Sequence, residues 1–431
     1  MKIAAFSLSA LALLSGLAEA DIGIDNNRVD VQLYGILDAG IGTLEHSYSG
    51  SSSFASTVNP YNLNSSSNSF TGLYSGGVSM SRVGIKAEAD LSSDMKAFFK
   101  VESALNVISG VLANNGKSIY DDISALKSAN GASAINGQLF SRAAYVGFSN
   151  RAFGSIALGR TTNLSLDQVA EYDPVQAALL YSPLGFSGGI GGGLGATENS
   201  RLDNSAKYEN QIGPVGVGLQ YKFKGSQSDQ AAGYGYVAML SYSVGPLSVK
   251  GTFSEETNSV AWAIQYSNVV TPDPNLQIEN TRGYMLTALY KIDNDATVKA
   301  GYEYVSITAP SDPNLTGIQD YFGLMLPNPA ANASGQQHFG VVWLGGDYKF
   351  TKAFDLGLGW YDINTDNAPE VGKQYLAIAY SALADYSFAK SFDTYAGTLL
   401  MSYSGPGLDH KAPTLAYSSN ALYGVGLRFK F

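Results

Sequence analysis

The sequence predicts an all-β fold, a transmembrane antiparallel β-barrel of about sixteen strands with a long third external loop folded into the lumen. Three observations predict it. Apolar residues alternate with a period of two in segment after segment. The connections between segments alternate between short and long. One connection, Arg160 to Arg201, is far longer than an ordinary loop and carries its own cluster of charge.

The chain opens with Met1-Lys2, an apolar run from Ile3 to Leu17 and the small-residue pattern Ala18-Glu19-Ala20. This reads as a signal peptide over residues 1–20, because the run is too short to span a bilayer. Residues 21–431 then form one barrel domain, with a constriction loop at about 161–203. Cysteine is absent, so an exported chain of this size draws its stability from something other than disulfides. The formal net charge of −10 argues against a nucleic-acid partner, which would want a basic face.

The period is clearest from Arg82 to Leu91. Val83, Ile85, Ala87, Ala89 and Leu91 make an apolar face, while Arg82, Lys86, Glu88 and Asp90 make a charged one. Val215, Val217, Leu219, Tyr221 and Phe223 alternate with Gly216, Gly218, Gln220 and Lys222. Val298, Ala300, Tyr302 and Tyr304 alternate with Lys299, Gly301 and Glu303. No stretch of comparable length reads as an amphipathic helix. The predicted strands are 31–46, 81–92, 95–107, 140–150, 154–163, 204–212, 215–225, 233–244, 247–257, 281–292, 297–307, 338–350, 354–363, 374–388, 393–404 and 420–431. Ser259–Val269 fits either an extra strand or part of a long loop.

Tight reversals fall around Ser92-Ser93-Asp94, Asn150–Phe153, Gly213-Pro214, Gly245-Pro246, Asp293–Asp295, Thr351–Ala353 and Ala389–Ser391. Long loops lie between them, beginning with a Ser/Asn-rich one over 47–80. Successive antiparallel strands put every other connection at the same end. One end is therefore trimmed and the other elaborated, as in a barrel with short periplasmic turns and longer external loops. The second face is too polar for a packed core, so it fits a wet lumen. Lipid outside forces closure, because unpaired backbone groups are costly there. Tyr290, Tyr302, Tyr304, Tyr348, Tyr380, Tyr386, Tyr395 and Tyr403 fall on the expected outward face, several near segment ends where interfacial girdles sit.

The last segment, Ala421 to Phe431, alternates cleanly and ends on an aromatic residue. With VQLYGILDAG at 31–40, SRVGIK at 81–86, LFSRAAYVGF at 139–148 and GSIALGRTT at 154–162, the chain resembles a Gram-negative general porin of the betaproteobacterial type. The resemblance covers essentially the whole chain after residue 20. It implies a homotrimer of sixteen-stranded barrels in outer-membrane lipid. It also implies that Phe431 marks barrel closure and that the third loop narrows each pore. Acids of that loop, here Asp167, Glu171 and Asp173, would face basic wall residues, here Arg82, Arg142 and Arg201. Lys100, Arg160 and Lys207 join the basic set as lumen candidates by alternation.

Enzyme motifs fail on context. Gly185-Phe-Ser187-Gly-Gly189 matches a nucleophile elbow, but a glycine run follows where a helix must start. Asp362-x-Asn364-x-Asp366 begins like a calcium loop, yet Asn367 replaces the turn glycine and Lys373 the bidentate Glu. His46, His338 and His410 are too scattered for a zinc site. No cofactor or metal is expected. The expected function is a passive channel for small hydrophilic solutes and ions. A substrate-selective channel and an adhesive barrel without transport are the alternatives.

Overall fold

Sixteen staves close into one antiparallel barrel in the computed structural model. It describes residues 29–45, 69–110, 139–186, 198–224, 233–263, 275–308, 320–321, 324–325, 336–366, 375–404 and 419–431. The expected signal peptide lies outside them. In chain order the strands are β1 (Val29–Leu44), β2 (Phe70–Ser75), β3 (Arg82–Asp90), β4 (Met95–Ala104), β5 (Ala143–Asn150), β6 (Gly154–Thr162), β7 (Arg201–Ile212), β8 (Val215–Lys222), β9 (Gly235–Val244), β10 (Leu247–Ala263), β11 (Asn275–Lys291) and β12 (Ala296–Thr308). A small hairpin, β13 (Asp320–Tyr321) and β14 (Leu324–Met325), stands apart from the wall. Then come β15 (Gln336–Lys349), β16 (Phe354–Asp366), β17 (Tyr375–Ala389), β18 (Phe392–Ser404) and β19 (Ser419–Lys430).

Two strands share the second stave. β1 pairs with β2 over Ala39–Leu44 and with β3 over Val29–Ile36. The predicted first loop, 47–80, was therefore too long. Its last part returns to the wall as β2, and an excursion over residues 76–81 separates β2 from β3. Ser259–Ala263 is neither an extra strand nor a loop: it continues β10 past a register shift after Glu256. Residues 264–269 lie outside the described set. All seven predicted tight turns stand where expected. Gly213 (φ +61°) and Gly245 (φ +56°) supply the left-handed backbone that the two Gly-Pro reversals need.

The outward face is as the alternation predicts, with Leu219, Leu286, Leu344, Leu358 and Tyr380 exposed on it. Aromatic clusters mark both rims. Tyr348, Phe350 and Phe354 lie in series at centroid spacings of 4.8 and 5.5 Å near the trimmed end. Tyr236, Phe253 and Tyr284 lie at 5.7 and 5.0 Å near the other. Tyr395 departs from the expectation. Its side chain points inward, is buried, and hydrogen-bonds Asp38. The side chain of Tyr403 lies outside the described set.

The inner face corrects a larger expectation. It is not polar throughout. Met285, Val305, Phe339, Val341, Trp343, Tyr361, Ile363, Ala377, Ala379, Leu399 and Met401 all point inward and are buried in one apolar cluster spread over β11 to β18. With Leu44 of β1 and Leu422 of β19 in the same cluster, half of the sixteen staves thus have apolar side chains on both faces.

β1 and β19 close the barrel in continuous register from Ile36↔Lys430 to Leu44↔Leu422. Phe431 extends the closure, exchanging backbone hydrogen bonds with Gly35 at 2.9 and 3.1 Å. Its ring covers Gly35, where a Cβ would sit 2.4 Å from the ring edge. Inside, buried Asp393 accepts from Arg428 Nε at 2.9 and 3.2 Å and pairs with Lys430 Nζ at 2.7 Å. Asp393→Ala would leave Lys430 without its carboxylate and Arg428 with Asp385 alone, a loss of about 3–5 kcal/mol. The folded barrel's gel mobility should then convert to the unfolded form at a clearly lower temperature. An unchanged transition temperature would contradict the closure role.

Candidate pore constriction

The third loop begins where β6 ends. Asn163 caps a helix, α1 (Leu164–Tyr172), its side-chain oxygen accepting from Ser165 N–H. Asp167 sits in the first turn, where the helix dipole favours an acid. The sequence reading found no amphipathic helix of a length comparable with the strands. The cap and the first-turn acid were the available signals, but nine residues hold too few turns for a period to emerge.

The loop runs along the inner wall from β7 round to β18. Gln168 donates to the Lys250 carbonyl at 2.9 Å and to Thr287 Oγ1 at 3.0 Å. Trp343 Nε1 donates to the Tyr172 carbonyl at 3.1 Å. Val169, Val175, Ala178, Leu180, Tyr181 and Leu184 bury themselves in the apolar cluster of the wall. Inward glycines are seats for this packing. A Cβ on Gly397 would lie 2.7 Å from the Tyr181 ring, and one on Gly345 would lie 2.7 Å from Pro174. At the tip, Leu179 and Leu180 N–H donate to the carbonyls of Val78 and Gly77 at 3.2 and 2.9 Å. Gln176 and Ala177 take left-handed φ values, bending the chain there.

Each of the three loop acids is occupied by the wall that the loop lies on. Asp167 pairs with Lys207 of β7 and accepts from Thr162 Oγ1 at 3.3 Å. Glu171 pairs with Lys250 of β10. Asp173 is fully buried, accepting from Tyr361 OH at 2.6 Å and Ala177 N–H at 2.5 Å. Lys299 donates to its backbone carbonyl at 3.1 Å. The sequence placed these acids opposite bases across a gap. In the structure they fasten the loop, and only Asp167 and Glu171 keep partial exposure.

The six predicted bases do come together, on neighbouring strands β3 to β7. Arg82 stands on β3, Lys100 on β4, Arg142 just before β5, Arg160 on β6, and Arg201 and Lys207 on β7. Glu102 is their hub, which the sequence reading missed. It lies 2.5 Å from Arg142, 3.3 Å from Lys100 and 3.8 Å from Arg82, and accepts from Tyr34 OH at 2.7 Å. Its place on the polar parity of β4 with Lys96 and Lys100 was the available signal. Arg160 pairs with Asp203 and donates to the Ser141 carbonyl at 2.8 Å. Arg201 Nε donates to the Arg142 carbonyl at 3.0 Å, and among the described residues no carboxylate lies within 4 Å of its guanidinium. Six cations thus face four carboxylates, Glu102, Asp203, Asp167 and Glu209, and two positive charges remain.

Burial pushes the Asp173 carboxyl above its ordinary value, against the lowering effect of its hydrogen bonds. A carboxyl raised in the docked loop contributes stability that is present in full below its ordinary pKa and is lost as pH rises through the raised value. Asp173→Asn has no charge to lose and should flatten the pH dependence of open-channel noise. Asp173→Ala removes the carboxylate that accepts from the Tyr361 hydroxyl and the Ala177 amide, at about 1–3 kcal/mol each, and should raise that noise at every pH. Noise equal to wild type in Asp173→Ala would show that Asp173 does not fasten the loop.

The Gram-negative porin family matches residues 7–406. An outer membrane porin protein of Bordetella pertussis is 30% identical over 230 residues, covering 52% of this chain and 50% of that protein. The match therefore spans half the length of that relative. The anion-selective porin from Comamonas acidovorans superposes with a TM-score of 0.62 at 18% identity, covering 94% of this chain and all of that one. The trimer form of OmpT, an outer membrane protein of Vibrio cholerae, superposes with a TM-score of 0.59 at 18% identity, with 94% and 100% coverage. Family and fold point to a channel of the outer membrane rather than an enzyme. The chain belongs to the Gram-negative porin family.

Proposed function

We propose that this chain forms a water-filled outer-membrane channel for passive diffusion of small hydrophilic solutes and ions, and that its narrowest part favours anions. The observation that carries the preference is the unbalanced basic wall of β3 to β7. Arg201 lacks a carboxylate among the described residues, and Arg82, Lys100 and Arg142 share Glu102. Of the loop acids only Asp167 offsets this wall, through Lys207, while Glu171 and Asp173 are fastened to β10 and β16. An anion-selective relative of the same fold is consistent with the preference.

Distance decides how much such charges matter. Physiological salt screens exposed charges beyond roughly 8 Å. A solute in a wide lumen would feel little, whereas the loop confines it beside the bases. One unit charge at about 8 Å in water contributes roughly 0.5 kcal/mol, a little over two-fold in the partition of an ion.

Asp167, Glu171 and Asp173 act in this reading as fasteners that set the aperture, and Arg82, Lys100, Arg142, Arg160, Arg201 and Lys207 as its charged lining. The assembly is a homotrimer in outer-membrane lipid, which the trimer form of a neighbour of the same fold supports. Catalysis has no part in it, and neither a cofactor nor a metal is required.

Planar-bilayer recordings test the function. Conductance should rise linearly with salt concentration, and the reversal potential in a potassium chloride gradient should have the sign of chloride preference. Neutralising Arg82, Arg142 and Arg201 together should move it towards potassium, by up to about six-fold in permeability ratio for each charge removed, since chloride loses what potassium gains. A reversal potential indifferent to all three would refute the assignment of the lining. The absence of single-channel steps would refute the channel itself.

A further inference from the structure

Residues 76–81 are a detour that the barrel does not need. β1 pairs with β2 as far as Ser75 and resumes with β3 at Arg82. Gly76 turns in the left-handed region (φ +81°), and the chain leaves the wall before β3 begins. What the detour meets is the tip of the third loop, through the Leu179–Val78 and Leu180–Gly77 backbone bonds.

One side chain shapes it. Asp38 of β1 is fully buried. Its Oδ1 accepts from Gly77 N–H at 3.1 Å and Tyr395 OH at 2.5 Å. Its Oδ2 accepts from Val78 N–H at 3.0 Å and Ser79 N–H at 2.7 Å. Three successive amides converging on one anion form a nest, the arrangement that elsewhere captures phosphate or carboxylate ligands. Here the anion belongs to the wall. With those amides turned to Asp38, the carbonyls of Gly77 and Val78 are free to receive the loop. The backbone of Asp38 closes the base of the detour by exchanging hydrogen bonds with Ser81 Oγ at 2.8 and 3.0 Å. Arg428 Nη1 holds Ser79 Oγ from β19 at 3.1 Å.

We propose that Asp38 is a positioning residue for permeation: its carboxylate folds residues 76–81 into the bracket that holds the tip of the third loop, and so sets the open width of the channel. The proposal rests on the channel reading above. Asp38 touches no solute itself. Its influence passes through the bracket to Leu179 and Leu180.

The chain has no cysteine, so Val78→Cys with Leu179→Cys can lock bracket and tip by a disulfide. Full-length wild type, Asp38→Ala and Tyr395→Phe are recorded as single channels, with and without the locked pair. Folding is read separately from heat-modifiable gel mobility. Each hydrogen bond removed should shift the docked–undocked balance of the tip about ten-fold. The expected result is a larger mean conductance and excess noise, greater in Asp38→Ala than in Tyr395→Phe, with both returning to wild type once the disulfide forms. Folded variants with wild-type conductance and noise overturn the proposal. So does an effect that survives the disulfide, and so does a pair that will not cross-link in the otherwise wild-type chain. Should Asp38→Ala yield no folded barrel, Tyr395→Phe, which deletes one oxygen atom, decides by the same criteria. Wild-type protein without channel steps refutes the channel reading instead.

Discussion

Burial of the third loop's apolar side chains against an apolar half of the inner wall is the interaction on which the other features depend. A loop standing free in a wet lumen would have to offset its ordering entropy, about 1–2 kcal/mol per residue for the backbone alone, with hydrogen bonds that water can replace. Fully burying a valine or leucine side chain contributes about 1.5–3 kcal/mol that water cannot replace. Val169, Val175, Leu180 and Leu184 are placed to do this against Trp343, Tyr361, Leu399 and their neighbours. The polar contacts then decide register. Gln168 fixes α1 on β10 and β11, and Tyr361 fixes Asp173 on β16.

The charge pattern follows from that placement. A loop lying along β7 to β18 leaves Arg201 and the bases of β3 to β6 on the uncovered side, and of the six bases it meets Lys207 with Asp167. Its own acids are used up on Lys207, Lys250 and Tyr361. At the far end of the loop a further acid is withdrawn. Glu198 is buried, which pushes its carboxyl above its ordinary value, and Ser254 donates to it at 2.8 Å. Acids that would otherwise project charge into the lumen are thus buried or paired. The basic wall retains an excess although the chain as a whole is acidic.

Much of the barrel was legible because lipid imposes one rule on every strand. Arg82 to Leu91 and Val215 to Phe223 alternate cleanly, and their faces came out as read. The apolar half of the lumen was not read, though it left a trace. FGVVWL in β15 and LAIAYSALA in β17 do not alternate, and near-continuous apolar runs mark strands buried on both faces. Tyr395 was misassigned for the same reason: in β18 both parities carry apolar or aromatic residues, so parity does not say which is lipid-facing. Arg82, Lys100, Arg160 and Lys207 were legible from strand alternation, and Arg142 and Arg201 through the motifs that carry the resemblance. The partners of the acids were legible only in part: Lys207 stood among the bases but not as the mate of Asp167, and Lys250 and Tyr361 were not read, because the three lie 40, 79 and 188 residues from their acids and only barrel closure brings them near. The detour at 76–81 escaped notice because its cause, Asp38, is a single inward residue on another strand.

Cysteine accessibility within open channels tests the central claim most directly, since the native chain has no thiol. Arg201→Cys and Val175→Cys would be exposed in turn to small anionic and cationic thiol reagents while current is recorded. A loop sealed onto the apolar wall beside a basic passage predicts rapid modification at Arg201→Cys, faster with the anionic reagent and accompanied by a fall in current. It predicts no reaction at Val175→Cys. Equal reactivity at the two positions would mean that water passes behind the loop, and would contradict the account.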